Sequence, residues 1–305
     1  MALPQAPLSK TFPPTGYALF VALERISFLW PNRFASLNNS EMKPVQQGSS
    51  RYAFTSLILM SMNRVVSLMI AVAASIVGFA QNIQLHYDLG HALYGDLSAR
   101  PNVTTTFEMF KPDRLGSTFL FTDIDYFGDG AAGAYWEISR EFSISKNKRW
   151  AIHAEYNGGI TSIEHTAIAS RFQHAVLIGG AWNWASKDFR KTLSLQALYK
   201  YYFKGMGRGA FNGFQLTAVW ADTFAHGLFS FSGFFDLWYD KDVNGKLIML
   251  TEPQLWFNFN GLKHMEGINL SLGTEVEVSN NFVFDKQGRC NKFFVIPTLA
   301  AKWTF

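Results

Sequence analysis

KFFVIPTLAAKWTF, residues 292–305, ends the chain on a segment whose two faces differ in kind. Phe293, Val295, Pro297, Leu299, Ala301, Trp303 and Phe305 fall on one face of a strand. Lys292, Thr298, Lys302 and Thr304 fall on the other, with Phe294 and Ile296 as apolar exceptions. Successive side chains of a strand point to opposite faces, so this period of two gives one greasy and one polar surface. A strand that is apolar outside, polar inside and flush with an aromatic chain end is how transmembrane β-barrels close. Soluble sandwich strands also alternate, so the ending gains its weight from the rest of the chain.

The front of the chain agrees with it. Met62-Asn63-Arg64 opens MNRVVSLMIAVAASIVGFA, a segment with a short positive start, an apolar run from Val65 to Val77, and small residues at Gly78 and Ala80. This is the layout of a secretory signal peptide cut near Ala80. The apolar run falls short of the ~20 residues needed to span a bilayer as a helix. A signal peptide belongs at an N-terminus. Residues 1–61 are therefore read as a mis-assigned upstream start, with a disordered extension as the alternative. The expected organisation is 1–61 outside the fold, 62–80 signal peptide and 81–305 β-barrel.

That division removes the charge argument for a nucleic-acid partner. The whole chain carries 27 basic and 23 acidic residues, for a net charge of +4. Residues 1–80 hold six of the basic and two of the acidic ones, which leaves 21 of each in 81–305. A basic footprint is not a property of the expected fold. Aromatic residues make up 16% of the chain and charged residues 16%, against a usual charged share of about 25%. The lone Cys290 excludes a disulfide framework and reads as an incidental loop thiol.

Short period-two segments recur through 81–305, separated by turn-forming clusters. They begin near Asn82, Asn102, Ser117, Ala134, Trp150, Arg171, Lys191, Gly213, Leu228, Lys246, Gly267 and Lys292. These predict an all-β fold, a transmembrane antiparallel up-and-down barrel of about 12 strands. One set of connections is tight and often basic: KPDRLG, SKNKR, ASKDFR, Ala225-His226-Gly227 and NGLKHME. The alternate set is longer and more varied: YGDLSARP, GDGAAG, TSIEHTAIA, KGMGRGAF, KDVNG and FDKQGRC. Short turns at one rim and longer loops at the other are expected of an outer-membrane barrel, with both chain ends on the short-turn side. Gly158-Gly159 and Gly179-Gly180 inside strand patterns point to bends or close packing in the wall.

If the apolar face meets lipid, the other face lines the lumen. The alternation places Asp88, Phe121, Asp123, Asp125, Tyr135, Glu137, Glu141, His153, Glu155, Asp236, Glu252, Trp256, Glu275 and Glu277 inside. A charge facing lipid is costly, about 2–4 kcal/mol for Arg or Lys at the midplane, which fixes the choice of face. Arg140 violates the pattern and is expected near the rim that carries the chain ends. The predicted interior is acidic with aromatic residues interleaved. Carboxylates accept hydrogen bonds from solute hydroxyl and amino groups, and ring faces stack on flat solutes. Alternatively the acids pair with Arg171, Lys200, Lys292 and Lys302 and plug the barrel.

TFEMFKPDRLGSTFLFTDIDYFGDGAAGAYWEISREFSI, around residues 104–144, resembles the nucleoside-specific channel-forming outer-membrane porins (Tsx-like), and more closely their uncharacterised relatives. The resemblance rests on the F-x-D-x-D-Y-F strand and the Y-W-E-I-S-R-E-F-S-I strand after it. It implies a monomeric twelve-stranded barrel in the outer membrane of a Gram-negative bacterium, passing nucleosides by diffusion. On it, Phe121, Asp123, Asp125, Tyr135 and Glu137 would line the passage. The expected partners are nucleosides or other small polar solutes, outer-membrane lipids, and the barrel assembly machinery reading the strand that ends at Phe305. No cofactor is expected.

Other functions have weaker support in the residues. An outer-membrane lipid hydrolase needs a serine, a histidine and an orienting partner within hydrogen-bond reach. His153 lies beside Glu155, yet His174 and His226 are scattered and no serine sits in a nucleophile setting. A structural or ligand-binding barrel with a plugged lumen is the other alternative. The histidines and the single cysteine show no metal-ligand spacing. The Asp123/Asp125 pair would need several more oxygens to hold a hard cation.

Overall fold

The structure is a computed structural model that describes residues 81–97, 100–128, 130–162, 169–205, 207–285, 288–289 and 291–305. Residues 1–61, the expected signal peptide 62–80, Cys290 and most of the TSIEHTAIA connection lie outside the described residues.

The strands are β1 (Asn82–Asp88), β2 (Val103–Pro112), β3 (Gly116–Phe127), β4 (Gly130–Ser143), β5 (Trp150–Ser162), β6 (Ala169–Arg171), β7 (Ala175–Ala185) and β8 (Lys191–Tyr202). They continue with β9 (Phe211–Phe224), β10 (Phe229–Tyr239), β11 (Leu247–Thr251), β12 (Gln254–Asn258), β13 (Leu270–Asn280), β14 (Phe284–Asp285), β15 (Gly288–Arg289) and β16 (Phe293–Thr304). Each wall strand pairs antiparallel with its neighbours, and β1 pairs with β16 from Asn82↔Thr304 to Asp88↔Thr298, closing the sheet on itself. β11 and β12 share one place in the wall, since both pair with β10 and β13. Pro253 causes the break, because it has no N–H for the ladder. β6 adds to β5 only, and β14–β15 form a separate hairpin. The result is a closed twelve-strand antiparallel barrel, whose wall strands each have a neighbour on both sides.

Most strands start within three residues of expectation; β4 starts four residues early, at Gly130, and the strand expected from Arg171 starts four residues late. The wall strand starts at Ala175, and Ala169–Arg171 forms the short β6 instead. Phe172 donates its N–H to Gly159 O and fills the space above that glycine. A Cβ on Gly159 would lie 2.2 Å from the Phe172 ring. A Cβ on Gly179 would lie 2.1 Å from Ala197 O on the neighbouring strand, whereas Gly180 faces open space. Close packing therefore accounts for Gly159 and Gly179 but not for Gly180.

Large apolar side chains stand exposed all around the wall, among them Leu85, Ile138, Ile152, Ile178, Leu195, Leu216, Leu255, Leu272, Val295 and Leu299. A soluble monomer rarely shows a contiguous apolar patch above a few hundred Å². A belt of this kind is the lipid-facing surface of a membrane barrel. Exposed aromatics gather near the rim that carries the chain ends: Phe110, Phe142, Trp150, Trp184, Phe224, Trp303 and Phe305. They form the girdle expected where the hydrocarbon core meets the headgroups.

Arg140 sits at that same rim. Its guanidinium grips Asp113, in the turn between β2 and β3, through two bonds of 2.7 and 2.9 Å, and donates to Thr118 Oγ1. The Arg140 hydrogen bond holds the Asp113 carboxyl down at about 2. The outward charge is thus tied to a turn at the rim.

Candidate functional site

The inner face of the wall is polar, and register shows how its residues meet. Thr106↔Asp123↔Tyr135 and Glu108↔Phe121↔Glu137 form successive rows across β2, β3 and β4. Glu141↔His153↔Gly179 and Glu155↔Leu177↔Lys200 continue across β4, β5, β7 and β8.

Three groupings result. The first lies on β1, β2, β3, β12, β13 and β16. Thr106 and Thr104 donate to Asp123 and Asp125, and Gln254 donates to Glu275 at 2.6 Å. His86 lies 3.2 Å from Thr298 Oγ1 and 3.0 Å from Gln84 Oε1. Trp256 is wholly covered here. Its Nε1–H donates to Gln254, the Lys302 ammonium stands 4.2 Å over its ring, and the His86 ring meets it edge-on.

The second grouping lies at the longer-loop end of the wall. Arg100, from the loop after β1, folds inward and donates to Asp88 at 2.9 Å and Glu277 at 2.7 Å. Leu97 of the same loop packs with Val283, Phe294 and Ile296. Phe294 and Ile296, the apolar exceptions on the polar face of β16, are therefore the seat of an apolar wedge inside the barrel.

The third grouping lies on β4, β5, β7, β8, β9 and β10. Tyr135 donates to Glu137 at 2.7 Å, and Asn183 donates to Glu141 at 2.6 Å. The His153 ring joins Glu141 (3.3 Å) to Glu155 (2.9 Å). Thr217 donates to Asp236. Lys200 Nζ donates to Gln215 Oε1 at 2.7 Å, stands 5.2 Å over the rings of Tyr202 and Trp238, and interacts electrostatically with Glu155, Asp236 and Glu137. Leu177, Leu198, Tyr202, Phe211 and Trp238 make an apolar wall beside it.

The structure thus brings Tyr135, Glu137, Glu141, His153, Glu155 and Asp236 into one region. Phe121 stacks on Phe119, while Asp123, Asp125 and Trp256 belong to the first grouping, which adjoins the third where Asp123 lies across from Tyr135. Of the cations expected to pair with the acids, Lys200 and Lys302 lie inside. Lys292 instead bonds Asp96 at 2.8 Å near the exposed mouth, and Arg171 is exposed at the end of β6. Arg100 and Glu108 were not anticipated. Glu108 accepts from Asn82 and Gln84, and the alternation of Thr104, Thr106 and Glu108 carried that signal. Arg100 has no such signal, because a loop residue follows no period.

His153 commits both ring nitrogens to carboxylates, and His174 Nδ1 is bonded to the Tyr156 hydroxyl. His226 is exposed in a turn. Among the described residues no three His, Cys, Asp or Glu side chains are grouped to hold a metal ion.

Fold and lumen together define a membrane β-barrel with a polar, carboxylate-rich interior. Residues 80–305 match the family described as Domain of unknown function (DUF5020), and the chain belongs to that family. No curated protein sequence matches the chain. Among solved structures it is similar to the NanC porin, at 10% identity over 73% of this chain and 99% of that one, with a TM-score of 0.47. It is also similar to the KdgM porin (11% identity, 73% and 98% covered, TM-score 0.39). A third similarity is to the outer membrane channel DcaP of Acinetobacter baumannii (11% identity, 74% and 71% covered, TM-score 0.31).

Proposed function

We propose that the chain is an outer-membrane channel that passes small polar solutes, nucleosides or molecules of similar hydrogen-bonding character, by diffusion through its acidic, aromatic-lined lumen. The observation that carries this reading is the imbalance of the interior. Asp88, Glu108, Asp123, Asp125, Glu137, Glu141, Glu155, Asp236, Glu252, Glu275 and Glu277 face inward, against Arg100, Lys200, Lys302 and the His153 ring that joins Glu141 to Glu155. An interior meant only to fill space would pair its charges or do without them. A surplus of acceptors suits water and solutes that bring donors, and ionisable groups at membrane depth mark solute pathways.

In a planar bilayer, the protein is expected to show a small, cation-preferring conductance that adenosine and thymidine block saturably and glucuronate does not. Conductance without nucleoside block would keep the channel and discard the nucleoside. A folded barrel with no conductance would favour the second reading, a plugged structural barrel. The wedge of Leu97 on Phe294 and Ile296 and the covered Trp256 are the observations on its side.

A further inference from the structure

Two buried acceptors in the third grouping have no donor. Glu155 Oε1 and Asn157 Oδ1 lack a hydrogen-bond partner, although the Glu155 side chain is 9% exposed and Asn157 is 5% exposed. They stand two residues apart on the inner face of β5, about 7 Å along the strand. The other Glu155 oxygen is occupied by His153. A buried acceptor left without a donor is costly, so each marks a place where a partner belongs.

We propose that Glu155 and Asn157 form a subsite for the primary ammonium group of an alkylamine solute. The inference rests on the channel reading for access to the lumen. Charge argues for a cation, since Glu137, Glu155 and Asp236 gather around the single ammonium of Lys200, and the His153 ring takes only one oxygen of Glu155. A carboxylate-bearing solute would meet those three acids. Donor count separates an ammonium from an alcohol, because an ammonium brings three N–H groups and the charge, and a hydroxyl brings one donor and none. The surroundings already hold such a group. The Lys200 ammonium lies over Tyr202 and Trp238, and ring faces attract cations most when desolvated. Lys200 Nζ donates to Gln215, and Glu155 Oε1 has no donor. Leu177 and Leu198 make the neighbouring surface apolar, which suits an alkylamine better than a polyol. A metal ion fits less well, since no grouped set of ligands exists among the described residues.

The test uses three probes of one shape: n-butylammonium, 1-butanol and butyrate, titrated calorimetrically into the full chain purified from membranes in detergent. Saturable binding of butylammonium alone is expected. Glu155→Gln and Asn157→Leu should each weaken it at least ten-fold, and Asn157→Asp should tighten it several-fold. Heat-modifiable gel migration reports that each variant is folded. Should Glu155→Gln fail to fold, the tightening by Asn157→Asp decides the matter. No saturable binding, equal binding of butanol, or an affinity unmoved in the folded variants would overturn the subsite. Conductance on the same preparations separates the two readings. A conducting pore that butylammonium neither binds nor blocks sinks the subsite and spares the channel. Binding without conductance sinks the channel and supports the subsite.

Discussion

The two walls of the lumen draw on the same residue types and treat charge differently. On the wall of β1, β2, β3, β13 and β16, the carboxylates are answered from within the chain: Thr104 and Thr106 donate to Asp125 and Asp123, and Arg100 spans Asp88 and Glu277. On the wall of β4, β5, β7, β8 and β10, His153 and Lys200 answer part of the demand, and Glu155 Oε1 and Asn157 Oδ1 are left over. The first wall is built like a clamp that holds the mouth loop. The second is built like a surface awaiting a donor. An acidic lumen is thus not one property. Its carboxylates divide into those the chain's own donors engage and those with an oxygen left for a solute.

The strongest way to break this contrast is to empty the apolar seat of the clamp. Phe294→Ala removes a ring that is 1% exposed, and large-to-small changes of this kind cost about 3–5 kcal/mol. Urea unfolding in lipid vesicles should show that loss, whereas Asn157→Leu on the other wall removes an acceptor that has no donor and should leave stability within about 1 kcal/mol. Equal losses from the two changes would erase the distinction.

A smaller effect is expected from Arg100→Ala. Breaking a buried ion pair by removing one partner costs about 3–5 kcal/mol, reduced here to about 2 because the Arg100 side chain is 24% exposed. The same variant should enlarge the single-channel conductance, since the loop loses its hold on the mouth. An unchanged conductance would show that the Arg100 clamp does not narrow the path.

Selectivity sharpens the contrast further. Asp123→Asn with Asp125→Asn should lower cation preference, read as a reversal-potential shift toward zero in a salt gradient, with the barrel still folded. Lys200→Met should move the reversal potential the other way. No shift in either variant would place these groups off the ion path.

The smallest effect lies outside the lumen. Asp113 is an exposed carboxylate whose pKa is lowered by Arg140, to about 2 from 3.8. Its contribution to stability is therefore complete above about pH 4 and is lost as the pH falls through about 2. Over that window the wild type should lose its small advantage over Asp113→Asn in the unfolding midpoint. A difference that stays constant with pH would mean the Arg140 grip contributes nothing.

Strand number, closure and the choice of inner face were legible because each rests on a repeating physical rule. Alternation places Asp123, Glu137, His153 and Glu155 inside without knowledge of any neighbour. What could not be read depends on contacts distant in sequence. Arg100 reaches Glu277 across 177 positions, and Leu97 reaches Phe294 and Ile296 on the last strand. Phe294 and Ile296 therefore stood out as exceptions whose reason lay in a loop. The unpartnered oxygens on Glu155 and Asn157 were equally hidden, since the sequence shows an acceptor and not whether a donor arrives. Glu108 is different in kind: its own alternation with Thr104 and Thr106 placed it inside.

The most direct test of the central claim is single-channel recording of the protein in a planar bilayer under a salt gradient, with adenosine added stepwise. A small cation-preferring conductance that falls saturably with adenosine is the expected result. A folded barrel that passes no current at any nucleoside concentration would contradict it.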